Sequence, residues 1–167
     1  MALSKAKRKH RLNTLFERIG DIAVSWAFLE AGIDGCIYQM HQRWGGKSVM
    51  ATIPLRSFER KVKYLRGWHS SDTRWQILFP DFDETIDRIE RMSSDRHRLI
   101  HGAIKNLPEY EDDGFIVLRR TLEMNGDKTT FEEANYNLAA IRGFRRDIVL
   151  TATFLGQFAS ILAGHAD

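Results

Sequence analysis

Between Ile19 and Met40 the apolar residues Ile19, Ile22, Trp26, Leu29, Ile33, Ile37 and Met40 recur at steps of three and four. That spacing puts side chains along one stripe of a helix, and no alternating strand can carry it. It predicts a single long helix from about Leu12 to Trp44, ended by the breaker Gly45-Gly46. A stripe of this length needs other elements to cover it. Gly20, Gly32 and Gly35 each cost the helix about 1 kcal/mol relative to alanine. They either let another helix pack closely or bend this one.

The rest of the chain supplies the covering elements. Thr52-Ile53-Pro54 reads as a helix start, since proline suits a first turn whose N–H groups have no intrahelical partner. Leu55, Phe58, Val62 and Leu65, with Trp68 or Trp75, give that helix its buried side, and Arg56, Arg60, Lys61, Lys63 and Arg66 project outward until a stop near Gly67 to Ser71. Pro80-Asp81 opens a third helix with acids at its positive end, and Phe82, Ile86, Ile89, Met92, Leu99 and Ile100 trace its apolar side. Gly102 stops it and Pro108 prevents any continuation. Phe115-Ile116-Val117-Leu118 and Thr129-Thr130-Phe131 flank Asn125-Gly126, which predicts a hairpin over residues 115–135. Asn137 caps a last helix with Leu138, Ile141, Phe144, Ile148, Leu155, Phe158 and Leu162 at helical spacing. The expected architecture is an all-α, antiparallel bundle of about four main helices, with a small β-hairpin inserted between the third and the last.

A chain of 167 residues with 43% hydrophobic and 28% charged residues fits one domain, residues 1–167, whose first eleven residues form a basic tail that is free to be disordered. Cys36 is the only cysteine, so no internal disulfide forms and a reducing, cytoplasmic setting is expected. The basic N-terminus is followed by no apolar leader core, and acids interrupt Ile19 to Ile37, so neither a signal peptide nor a membrane span is expected. A net charge of +3 does not by itself call for nucleic acid. Basic residues nevertheless gather at the N-terminus and from Arg56 to Arg66, and acids from Asp81 to Asp95 and from Glu109 to Asp113.

Two motifs fail on their own chemistry. Gly45-Gly46-Lys47-Ser48 lacks the earlier glycine of a phosphate loop, where His41 stands, and it follows a helix instead of a strand. His97 and His101 have the spacing of a zinc protease, but the glutamate after the first histidine is replaced by Arg98, and a cation between two ligands opposes a metal. No metal and no cofactor are expected.

Arg96 and His101 remain, separated by four residues at the end of the third helix. The segment Asp95-Arg96-His97-Arg98-Leu99-Ile100-His101-Gly102 resembles the signature of the HEPN superfamily, in which arginine, a polar residue, three further residues and histidine close a helix. Arg96 matches the family arginine, His97 the polar residue that is often asparagine, and His101 the histidine. The resemblance extends to a long first helix, a motif helix ending in His-Gly, an irregular or hairpin segment and a last amphipathic helix.

In the nucleolytic members that resemblance implies metal-independent cleavage of RNA by attack of a ribose 2′-hydroxyl on its phosphodiester. Imidazole titrates near neutral pH, which makes His101 the general base. Arg96 stabilises the transition-state charge with a planar fork of donors, and His97 serves as a phosphate donor or as the acid for the leaving oxygen. Five helical steps turn Arg96 and His101 about 140° apart, whereas His97 and His101 nearly align, so either the backbone departs from ideal geometry at the helix end or a second copy contributes. HEPN domains commonly pair with their motif helices facing, so the resemblance implies an isologous homodimer. Phosphate contacts fall to Arg98 and Lys105 beside the motif and to Arg56, Arg60 and Lys63 of the second helix. The resemblance thus implies an RNA substrate, a toxin or defence role and an antitoxin protein as partner. The competing readings are a HEPN-like module that binds RNA or nucleotide without cutting it, and a dimerisation module in which the Arg/His pair is structural.

Overall fold

The computed structural model describes residues 4–53, 57–106, 115–122 and 129–164, with 104–106, 115–122 and 129–132 described by their backbone. The chain is mostly helical. The long apolar repeat forms α1 (Lys5–Arg43), which begins seven residues earlier than the sequence placed it. Lys5, Lys7, Arg8, Lys9 and Arg11 therefore lie on this helix and not in a separate tail.

Two short helices that the periodicity did not reveal follow or interrupt the longer ones: α2 (Gly46–Val49) and, beyond α3 (Phe58–Ser70), α4 (Thr73–Leu78). The start of α3 corrects the expected start at Thr52-Ile53-Pro54. Ser57 holds the N-cap, where its side chain accepts the Arg60 N–H at 3.4 Å, and Pro54 lies outside the described residues. The motif helix is α5 (Phe82–His101), with Asp83 and Glu84 in its first turn. The last helix, α6 (Leu138–Gly164), opens where Asn137 Oδ1 accepts the Ala140 N–H at 2.7 Å.

Between α5 and α6 stand β1 (Ala103–Asn106), β2 (Phe115–Leu122) and β3 (Thr129–Tyr136), in the antiparallel order β1-β2-β3. β2 and β3 pair from Phe115 with Tyr136 to Leu122 with Thr129. β1, which the sequence reading did not assign, joins through pairs such as Ala103 with Leu118. The Asn125-Gly126 turn lies outside the described residues.

The residues group into two compact units. Residues 1–24 and 93–146 make the first, which holds the sheet, the end of α5 and the buried Leu15, Ile22, Leu99 and Ile141. Residues 25–92 and 147–167 make the second. Its core joins Leu29, Ile33, Ile37 and Met40 to Tyr64, Leu65 and Trp68, to Ile86 and Ile89, and to Leu155 and Phe158. Aromatic rings fill the centre: Trp68 stacks on Trp75 at 4.8 Å and Phe158 meets Phe79 edge-on at 4.6 Å. Here the role of Gly32 is settled in favour of close packing, since a Cβ at that position would stand 3.1 Å from Leu155 Cβ of α6.

Among the described residues one helix, α6, is long and apolar enough to cross a membrane by length and composition. Only 28% of its most apolar window is buried.

Candidate functional site

The site residues occupy the last turns of α5, in the first unit. Leu99 holds this end down with 3% exposure, and the Gly102 N–H donates to Arg98 O at 2.8 Å before the chain turns into β1. Because buried Met92 and Leu99 fix the inward face, the polar residues between and after them fall on the flank and the outer face.

His97 and His101 are both exposed, and their ring centroids lie 4.7 Å apart with planes tilted by 48°. Two neighbouring imidazoles can divide acid and base work, one ring accepting a proton while the other donates one. Arg96, one residue earlier, is half-buried and its Nε is enclosed by protein. Among the described residues no group of three His, Cys, Asp or Glu is placed to hold a metal ion.

Arg98 is engaged locally. Its Nη1 donates to Asp95 Oδ1 at 3.2 Å, and the Tyr136 hydroxyl at the end of β3 donates to the same oxygen at 3.3 Å. Burial, and then the neighbouring Asp95 charge, hold the Tyr136 phenol above its usual range. Sequence reasoning named Asp95 in the motif segment but missed Tyr136 and its bond to that carboxylate. Forty-one positions separate them and no spacing rule reaches that far, but Tyr136 stands directly before the helix cap Asn137, which ties the sheet's last residue to a fixed helix start.

The other expected RNA contacts are scattered. Arg60 and Lys63 are exposed on α3 in the second unit, and Lys105 is in β1, described by its backbone. Arg56 lies outside the described residues. The second unit also holds a cleft of about 350 Å³, lined by Arg43, Ser48, Asp72, Arg74 and Trp75. Asp72 and Arg74 satisfy each other there, and Arg43 donates to Ala163 O. Arg74 Nη2 donates to Asp72 Oδ2 at 2.6 Å, and that bond holds the Asp72 carboxyl below and the Arg74 guanidinium above their usual ranges.

No family model, no curated protein and no solved structure matches the chain.

Proposed function

We propose that the chain is a metal-independent endoribonuclease of HEPN type, acting in the cytoplasm as a homodimer, in a toxin or defence role restrained by an antitoxin protein. The observation that carries the reading is the exposed pair of imidazoles, His97 and His101, on the helix end that Arg96 also occupies. The HEPN-like bundle with its hairpin insertion belongs to the same proposal.

In the proposed reaction His101 takes the proton of a ribose 2′-hydroxyl, and the resulting oxygen attacks the adjacent phosphorus. The bond to the 5′-oxygen of the next nucleotide breaks, and His97 gives that oxygen a proton. The products are a 2′,3′-cyclic phosphate and a 5′-hydroxyl. Arg96 supplies charge-assisted donors to the phosphoryl oxygens as negative charge builds on them. On an ideal helix Arg96 points about 140° from His101, so a second copy contributes across a two-fold axis.

A non-catalytic RNA- or nucleotide-binding or dimerisation module is favoured by one feature, the half-buried Arg96 with its enclosed Nε. Incubation with RNA in excess EDTA separates the two readings. Nuclease action persists in the chelator, spares DNA because DNA has no 2′-hydroxyl, and falls about a hundredfold or more in Arg96→Ala and in His101→Ala. Equal cleavage by wild type and both variants overturns the proposal, and RNA binding without cleavage selects the non-catalytic reading.

A further inference from the structure

From Ile148 to Gly164 α6 carries no charged residue, yet much of its surface lies open. Ile148, Leu155, Phe158 and Leu162 are buried in the second unit. Leu150, Phe154, Gln157 and Ile161 follow at steps of four, three and four on another side, and there Leu150 is 59%, Phe154 43% and Ile161 48% exposed. This is the spacing of a helix-pairing seam with one polar member.

Beside this ridge runs a groove. Gly32 brings α1 close to α6, and the two helices leave an open trough of about 460 Å³. Ser25, Phe28, Gly32, Thr153, Gly156 and Ala159 are among the residues that line it, with Phe28 69% exposed. A ridge of large side chains next to a groove of small ones is self-complementary about a two-fold axis, because each copy offers what the other needs. A two-fold also sets residues near the axis against their own copies, which an uncharged surface tolerates without like-charge repulsion.

Surface area agrees. At about 200 Å² for a fully exposed large side chain, Phe28, Val149, Leu150, Phe154 and Ile161 offer on the order of 500 Å². Two copies meeting on this side would bury on the order of 1,000 Å² in total, about the lower bound for a specific interface. A membrane fits less well. Crossing one would strip Leu155, Phe158 and Leu162 from the core and break the Trp44 Nε1–H bond to Leu162 O at 2.9 Å and the Arg43 bond to Ala163 O at 2.8 Å.

We infer that a second copy of this chain covers the open side of α6, with the Leu150–Phe154–Ile161 ridge of each copy seated in the Phe28–Thr153–Gly156 groove of the other. This pairing surface is assigned independently of the nuclease reading.

Sedimentation velocity on the full chain, from 1 to about 100 times the lowest workable concentration, tests it. Wild type sediments as a dimer. Phe154→Glu puts a charge on the ridge, and Gly156→Leu fills the groove at a position where an added Cβ meets nothing within 4 Å in the chain itself. Each raises the dissociation constant at least about tenfold, with unchanged circular dichroism. A wild type that stays monomeric, a dimer that survives both substitutions, or monomeric protein that instead pellets with phosphatidylcholine vesicles would overturn the inference.

Discussion

Gly46 leaves no room for a side chain. A Cβ there would collide with the Tyr64 hydroxyl and stand 2.8 Å from Met40 O and 2.9 Å from His41 Cα. Its neighbour Gly45 has φ +75°, a conformation that other residues seldom adopt. The Gly-Gly pair that stops α1 is thus fixed twice, by conformation and by packing. Gly46→Ala should cost about 1–3 kcal/mol, read as a lowered melting temperature, because two of the three obstacles are backbone atoms. Cys36 and Tyr64 bear on pH. Burial pushes the Cys36 thiol from 9.0 up to about 12 and the Tyr64 phenol from 10.0 up to about 12. Both keep their protons in the folded chain at pH values where the unfolded chain loses them. Their contribution is therefore whole below about pH 9 and declines as pH rises from there through about 12. Urea titrations should show falling stability across that window and a shallower fall in Tyr64→Phe. The Cys36 thiol, which donates to Leu155 O at 3.3 Å, should react with a thiol reagent at neutral pH only after denaturation. At this scale the sequence shows Arg96, His97 and His101 as a set, because four and five steps along one helix are local facts. It cannot show the Asp95 carboxylate shared by Arg98 and Tyr136, which depends on where β3 ends.

The long helices were legible because their apolar repeats run through many turns, so errors at single positions do not change the period. Boundaries were less so. The start of α1 at Lys5 follows no apolar signal, and α3 starts at a serine cap instead of a proline. Helices of four and six residues, α2 and α4, are too short to display a period at all. The four residues of β1 escape for the same reason. Between α3 and α5, Arg66 Nη2 bridges Asp87 at 2.8 Å and Glu90 at 2.9 Å, and the carboxylates raise the pKa of the guanidinium. All three side chains are at least 40% exposed, so the bridge should contribute little. Arg66→Ala is expected to lower stability by less than about 1 kcal/mol, with the difference shrinking further in high salt. Ser57→Ala, which removes the cap of α3, should cost about 1 kcal/mol in the same denaturation assay.

For the whole molecule, pairing and stability are one measurement. If two copies cover each other's α6, the melting temperature rises with protein concentration in wild type, and Phe154→Glu loses most of that dependence. The charge-free run of α6 was readable as a helix from its spacing, but its exposed side was not. Burial of Leu155 and Phe158 and exposure of Leu150 and Phe154 depend on which neighbours arrive, and residue type alone does not say. The division into two units has a practical consequence for genetics. Its boundaries at 24/25, 92/93 and 146/147 fall inside α1, α5 and α6, never in a connecting loop. The first unit, with its Arg96–His101 end, cannot therefore be excised on its own without severing three helices, and point substitution in the full chain is the route by which its chemistry can be dissected.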